Sequence, residues 1–174
     1  MSELFKNQSI AIENLPSIEE ESFQGIEKAY KTFMLIRNGL LIFLVFIIVL
    51  MIHLFAESTF ENWHFAIVYI ALFVFSILSF VLVQLGFERK AYLLREHDVI
   101  YKTGYIIQKM TVIPQNRIQH IEIREGVLLR LFKLSKLVIY TAGGNASDLS
   151  ISGINPEVAK QLKEFISKKI AEND

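Results

Sequence analysis

The sequence predicts a transmembrane helical hairpin that is followed by a small α+β domain. Two apolar runs, residues 39–55 and 65–87, are each close to the roughly 20 helical residues that cross a hydrocarbon core. After residue 88 the apolar residues form short runs separated by turn residues, which is typical of β-strands. The 174 residues therefore divide into an N-terminal segment (1–32), the hairpin (33–87) and the domain (88–174).

The N-terminal segment carries the signals of a helix start. Ser17 and Glu20 have the spacing of a capping box, directly after Pro16. Apolar residues then recur three and four positions apart, at Phe23, Ile26, Tyr30 and Phe33. We expect an amphipathic helix over residues 18–32, which either lies on the membrane or continues into the first span.

Basic residues predict the orientation of the hairpin. The short loop between the runs, residues 56–64, contains no Lys or Arg. The adjacent flanks contain Lys28, Lys31 and Arg37 before the first run, and Arg89, Lys90 and Arg95 after the second. Because Lys and Arg in short flanks stay on the cytoplasmic side, both termini and the domain are expected in the cytoplasm. The predicted location is the cell membrane, with two spans.

Few polar residues interrupt the two runs. Asn38 precedes the first run and Gln84 lies near the end of the second, so in a hairpin they fall at a similar depth. We expect a hydrogen bond between their side chains, which in a membrane stabilises a helix pair by roughly 0.6–2 kcal/mol.

Charge and cysteine content exclude several classes of function. The whole chain is neutral, but residues 88–174 carry 14 Lys or Arg against 10 Asp or Glu. This mild positive charge is too weak to indicate a nucleic-acid partner, and the anionic lipid of the inner leaflet is the closer match. The chain has no cysteine, which excludes disulfides, thiolate metal sites and thiol nucleophiles.

The domain is expected to contain six antiparallel strands and a closing helix. Residues 126–133 interrupt the strands with one or two helical turns. Asn155 is a good N-cap, Pro156 suits the first helical position, and an apolar stripe follows to Ile170. This pattern indicates a small barrel or bent sheet, with the helix covering an open end. The predicted strands are residues 90–95, 99–103, 105–113, 118–124, 137–141 and 149–152.

The most distinctive motif is IPQNRIQHI at residues 113–121, with YTAGG following at 140–144. With these motifs the chain resembles the YdbS-like bacterial membrane-flanked family, whose soluble unit has a pleckstrin-homology (PH) fold. The resemblance implies a PH-like antiparallel β-sandwich of seven strands with a C-terminal capping helix, and it implies no catalytic activity. One departure is Lys133, which stands where the family is expected to have a glycine.

The polar residues of the motif do not form a recognisable catalytic set. Arg117, Gln119 and His120 have no second histidine at metal spacing and no carboxylate pair beside them. Gln119 and His120 are instead expected to satisfy buried backbone groups. We therefore expect no catalytic residue, no metal site and no cofactor, and the chain is not predicted to be an enzyme.

Two groups of cations are candidate contacts. The first is a candidate site for a partner or lipid, with a solvated basic face as the alternative; it comprises Arg117, Arg124, Arg130, Lys133 and Lys136. The second is held at the inner leaflet by the chain itself and is expected to contact lipid; it comprises Arg37, Arg89, Lys90 and Arg95.

These features predict a membrane-anchored, non-enzymatic interaction module. Its expected partners are other membrane proteins, such as a relative with more copies of the PH-like domain, in envelope maintenance or defence against membrane-active compounds. The alternative is an accessory subunit of a transport or export complex. A membrane enzyme is a third possibility, which would need an acid, base or metal cluster. The oligomeric state is left open.

The predicted topology is tested by thiol labelling, because the chain has no native cysteine. A cysteine at Ser58 is expected to react with an impermeant reagent in intact cells, and a cysteine at Ser147 is expected to react only after lysis. The reverse pattern would show that the orientation is wrong.

Overall fold

The two long helices are inserted between the first and second strands of a small β domain. The computed structural model describes residues 21–55, 61–142 and 149–173. Strand β1 (Gln24–Gly25) precedes helices α1 (Lys28–Phe55) and α2 (Asn62–Glu88). The remaining elements are β2 (Ala91–Leu94), β3 (Asp98–Thr103), β4 (Lys109–Pro114), a 3-10 turn (Gln115–Arg117), β5 (Ile118–Arg124), α3 (Val127–Leu131), β6 (Ser135–Thr141), β7 (Leu149–Ile154) and α4 (Pro156–Asn173).

The strands form two antiparallel sheets, ordered β1-β2-β3-β4 and β5-β6-β7. Helix α4 packs on β5 and β6, where Ala159 and Ile166 are completely buried. At the start of α4 the Asn155 side chain accepts a hydrogen bond from the Glu157 N–H at 2.9 Å, which is the predicted N-cap. The helical hairpin, the antiparallel sheets and the closing helix confirm the predicted fold class.

The N-terminal segment differs from the expected amphipathic helix over residues 18–32. Residues 18–20 lie outside the described residues, and Gln24 and Gly25 pair with Tyr92 and Ala91 as an edge strand. The helix begins only at Lys28 and then runs without a break into the apolar run. The strand forms because pairing with β2 satisfies its backbone groups while Ile26 enters the core.

The first two turns of α1 belong to the core of the β domain. Tyr30, Phe33 and Met34 are buried in the same cluster as Ile139 and Ile151. The Glu27 N–H donates to the Gly153 carbonyl at 3.1 Å, and the rings of Phe33 and Phe132 meet edge to face at 5.8 Å. Val83 and Phe87 of α2 pack against this cluster as well. The core therefore crosses the predicted domain boundary at residue 88.

Both long helices have the length and composition to cross a membrane. In each helix an apolar window of 18 residues has none of its residues buried in the structure. The core helix of a soluble protein, by contrast, is mostly buried. Helix α1 has 28 residues and is about 42 Å long, which exceeds a hydrocarbon core of about 30 Å. The excess length is the part that enters the β domain.

The expected hydrogen bond between Asn38 and Gln84 is absent. The Ser79 hydroxyl donates to Asn38 Oδ1 at 2.9 Å instead, and Gln84 is exposed. Asn38 and Gln84 do not lie at the same depth, because Asn38 faces Ser79 of α2 and Lys31 of α1 lies beside the ring of Phe87. Gln84 therefore lies at the height of the first two turns of α1, which are buried in the β domain.

Gly153 provides a test of the shared core. Its φ is +88°, and an added Cβ would lie 2.2 Å from Cγ of Tyr30. Gly153→Ala should lower the free energy of unfolding by about 2–4 kcal/mol, because it combines backbone strain with displacement of a buried ring. Thermal unfolding of the full-length protein in detergent measures the effect.

Gly25→Ala is the matched control, since an added Cβ there meets no atom within 4 Å. Equal melting temperatures for the two variants would contradict the contact between Tyr30 and Gly153.

Candidate functional site

The β domain has two ends, and the helices leave from only one of them. The hairpin end contains Gly25 and Ala91, where β1 and β2 meet the helices. In an antiparallel sheet alternate connections lie at the same end, so the β3–β4 loop (residues 104–108) is also at the hairpin end. The opposite end, called the far end, contains the β2–β3 turn and the 3-10 turn, which meet where the Gln115 N–H donates to the His97 carbonyl at 2.8 Å.

The connection between β5 and β6, residues 125–134, also lies at the hairpin end. Its Phe132 contacts Phe33 of α1, and Ser135 pairs with Ile154 beside the contact between Gly153 and Tyr30. Helix α3 therefore lies beside the base of α1. Three of its four apolar side chains, Val127, Leu128 and Leu131, are exposed to solvent, Leu131 by 74%, and Leu129 packs against the core.

The structure divides the first predicted group of cations. Arg124, Arg130, Lys133 and Lys136 lie at the hairpin end, where Arg124 and Lys136 are directly paired across β5 and β6. Arg117 lies at the far end, where its carbonyl accepts from the Ala142 N–H at 3.0 Å. Proximity in sequence was misleading here, because the seven extended residues of β5 separate Arg117 from Arg124 by roughly 20 Å.

The second predicted group is divided in the same way. Arg37, Arg89 and Lys90 are at the hairpin end, and Lys90 Nζ donates to Thr103 Oγ1 at 3.1 Å. Burial lowers the pKa of Lys90, and the neighbouring charge of Arg37 lowers it further. Arg95 is at the far end of β2, where its Nε donates to Asp98 Oδ1 at 2.8 Å. The four residues of β2 carry Arg95 away from the helices, so it does not join the other three.

The buried backbone contact expected of Gln119 and His120 is made by Gln115 instead. Gln119 and His120 are exposed, whereas Gln115 is 2% exposed and its Nε2 donates to the Arg95 carbonyl at 2.8 Å. The imidazole of His120 stacks on Tyr140, with ring centroids 4.1 Å apart. Gln115 was missed because nothing in the sequence distinguishes it from the neighbouring polar residues.

Arg124 belongs to a small polar network on the outer face of β5 and β6. Its Nε donates to Glu122 Oε2 at 2.7 Å, and its Nη2 donates to the Tyr140 hydroxyl. The hydrogen bond from Arg124 lowers the pKa of the Glu122 carboxyl. The guanidinium is thus already paired within the chain. Among the described residues there is no group of three or more His, Cys, Asp or Glu placed to hold a metal ion.

Lys133 has a left-handed backbone conformation, which is why a glycine was expected at this position. Its φ is +54°, and it follows the end of α3. Its N–H donates to the Arg130 carbonyl at 3.0 Å, and the Leu134 N–H donates to the Leu129 carbonyl at 2.9 Å. This pair of bonds is a Schellman motif, in which glycine is favoured at the position of Lys133.

The fold and the position of the helices define a PH-like domain carried on a helical hairpin. The family model described as "Bacterial PH domain" matches residues 33–170, and the chain belongs to that family. The resemblance stated from the sequence is thereby confirmed. No solved structure matches the chain.

Two curated relatives are transmembrane proteins of Bacillus subtilis (strain 168). UPF0699 transmembrane protein YdbT is 33% identical over 86 residues, which are 49% of this chain and 17% of YdbT. UPF0699 transmembrane protein YdbS is 30% identical over 77 residues, which are 44% of this chain and 46% of YdbS. The matched segments therefore span less than half of either relative. The chain is a membrane-associated member of the bacterial PH domain family with transmembrane helices.

Lys133→Gly is expected to stabilise the protein by about 0.5–1 kcal/mol, because glycine adopts a positive φ without steric cost. Lys136→Gly removes the same charge from the interior of β6 and should destabilise by a similar amount. Melting temperatures that move in the same direction for both variants would contradict this account of the turn.

Proposed function

We propose that this chain is a non-enzymatic interaction module that docks a second membrane protein at the cytoplasmic face of the cell membrane. In this proposal α1 and α2 are the two spans, both termini are cytoplasmic, and the partner contacts α3 and its surroundings. The observation that carries the proposal is an exposed apolar helix held beside the base of a transmembrane helix. Envelope maintenance or defence against membrane-active compounds is the proposed setting.

The rigid connection between the domain and the helices supports this function. Helix α1 is continuous from Lys28 to Phe55, and its first turns are buried in the β domain, so no flexible linker separates the domain from the membrane. The domain is thus held at a fixed distance from the bilayer and at a high local concentration relative to membrane neighbours. Under these conditions a few contacts of modest affinity suffice for assembly.

The composition of the α3 surface fits a protein partner. This surface comprises the exposed Val127, Leu128 and Leu131 together with Arg124, Arg130 and Lys133. Exposed apolar patches with a polar rim commonly mark interaction sites. The acidic Glu122 and Glu125 lie within the same rim, and their charge opposes binding to anionic lipid. A protein surface with both signs of charge complements this arrangement better.

A groove within the hairpin supports a partner that is itself a membrane protein. Its volume is about 490 Å³, and it lies between α1 and α2 with Gly39 and Ser76 among its lining residues. Large apolar side chains such as Phe43, Phe46 and Phe73 line most of the groove, so apolar side chains of another helix could pack into it. The same groove also suits the alternative function, an accessory subunit bound to a transport or export complex.

A longer relative with further copies of the domain is the proposed partner. The matched segment of YdbT is only 17% of that protein, which leaves room for further copies of the same unit. The partner would offer a complementary surface at the same height above the membrane, because its domain would be carried in the same way.

The proposal is tested by co-expressing the chain with the longer PH-domain membrane protein of its own genome and purifying the pair. Val127→Ser with Leu131→Ser should abolish co-purification, since both side chains are exposed and their loss should leave the core intact. Arg130→Glu should weaken the pair in a salt-dependent way.

Two controls lie on α4, away from the α3 surface. Phe165→Ser removes an exposed apolar side chain, and Lys163→Glu reverses an exposed charge. Both controls should retain the partner. Retention by the Val127 and Leu131 double variant would refute the α3 surface. Stoichiometric recovery of a multi-span transporter in place of the PH-domain relative would favour the alternative function.

A further inference from the structure

The β3–β4 loop presents apolar side chains to solvent at the hairpin end. Tyr105, Ile106 and Ile107 are consecutive, and Ile106 and Ile107 are 77% and 82% exposed. Met110, at the start of β4, is half exposed beside them. Exposure of two adjacent isoleucines is unfavourable in water, and exposed apolar patches commonly mark contacts with another apolar surface.

A cationic groove lies directly behind this tip. Its volume is about 400 Å³. Arg89, Lys102 and Lys109 supply three positive charges to it, and no Asp or Glu is among the described residues that line it. The remaining lining residues are polar or small apart from Met110, namely Thr103, Gly104 and Gln108.

The position of the loop relative to the helices is fixed by direct contacts. Lys90, which follows the end of α2, donates from Nζ to Thr103 Oγ1 at the base of the loop. Lys102 pairs with Ala91, the first residue of β2. The base of the loop is therefore level with the point where α2 leaves the transmembrane segment.

The shape of the loop is determined by Gly104. Its φ is +90°, and a Cβ at this position would lie 2.0 Å from the Ile107 carbonyl oxygen. The sequence favoured a strand over residues 105–113, because isoleucine and tyrosine have high β propensity. The structure instead folds residues 104–108 back on themselves, and this turn brings the apolar tip and the cationic groove together.

We propose that the β3–β4 loop inserts its tip into the lipid bilayer while Arg89, Lys102 and Lys109 bind the phosphate of an anionic lipid headgroup. Unlike the rim of the α3 surface, the described lining of the groove behind this tip contains no acidic residue. An apolar tip with a cationic groove behind it matches the order of the layers in an anionic membrane, in which acyl chains lie below phosphates. Together with the hairpin, the loop gives the domain a second attachment to the same bilayer.

This proposal is independent of the partner at α3 and is tested with the purified full-length protein in nanodiscs. Because the chain has no cysteine, Ile106→Cys provides a single site for an environment-sensitive NBD fluorophore. In nanodiscs that contain phosphatidylglycerol, we expect a shift of NBD emission to shorter wavelength and loss of intensity when lipids with doxyl-labelled acyl chains are included.

The matched control is Ala142→Cys, an exposed position at the far end of the domain, where neither change is expected. Quenching at position 106 that does not exceed quenching at position 142 would overturn the insertion of the loop. Leu131→Cys reports on α3 in the same nanodiscs, and strong quenching there would show that lipid covers the proposed partner surface.

The headgroup site is tested by lipid composition and by charge. Quenching at position 106 should decrease when phosphatidylglycerol is replaced by phosphatidylcholine, and Lys102→Gln with Lys109→Gln should remove this dependence. Equal quenching in both lipids would overturn the preference for an anionic headgroup. Millimolar inorganic phosphate should not reproduce the effect of the two substitutions. If it does, free phosphate displaces the lipid from the groove, and the lipid is overturned as its preferred ligand.

Discussion

The structure depends on the burial of the first two turns of α1 in the β domain. A transmembrane helix that ended at the membrane surface would need a linker, and the domain would then move freely above the bilayer. Here Tyr30, Phe33 and Met34 contribute to the domain core, and the same helix continues into its apolar segment. The position of every other surface relative to the membrane follows from this continuity.

The insertion of the helices between β1 and β2 also determines which parts of the domain lie near the bilayer. Antiparallel pairing returns the chain to the same end of the sheet at every second connection. The β3–β4 loop and the α3 connection therefore lie on the side of the helices, whereas the 3-10 turn and Arg117 lie on the opposite side. Two separate apolar surfaces result, one beside a groove lined by Arg89, Lys102 and Lys109 and one whose rim carries both signs of charge.

Sequence patterns predicted the elements that depend on long apolar periods or on strong terminal signals. The two long apolar helices and the closing helix with its Asn155 cap were recovered in this way, whereas the PH-like fold class was implied by the family resemblance. Strand β1 was not, because two residues carry no periodicity, and pairing with β2 is a tertiary interaction. The division of the two cation groups was also hidden, since an extended strand separates residues that are near in sequence. At Lys133, in contrast, the glycine expected from the family resemblance correctly indicated a positive φ, which lysine adopts with strain.

The uninterrupted course of α1 also makes the domain sensitive to the thickness of the bilayer. Its apolar run of residues 39–55 spans about 25 Å, which is slightly less than a typical hydrocarbon core. Such hydrophobic mismatch is relieved by changes in helix tilt or by local deformation of the lipid. Because the first two turns of the helix are buried in the domain core, a change in tilt would rotate the domain relative to the membrane plane. In membranes of different thickness, the α3 surface and the β3–β4 loop would thus lie at different angles to the bilayer.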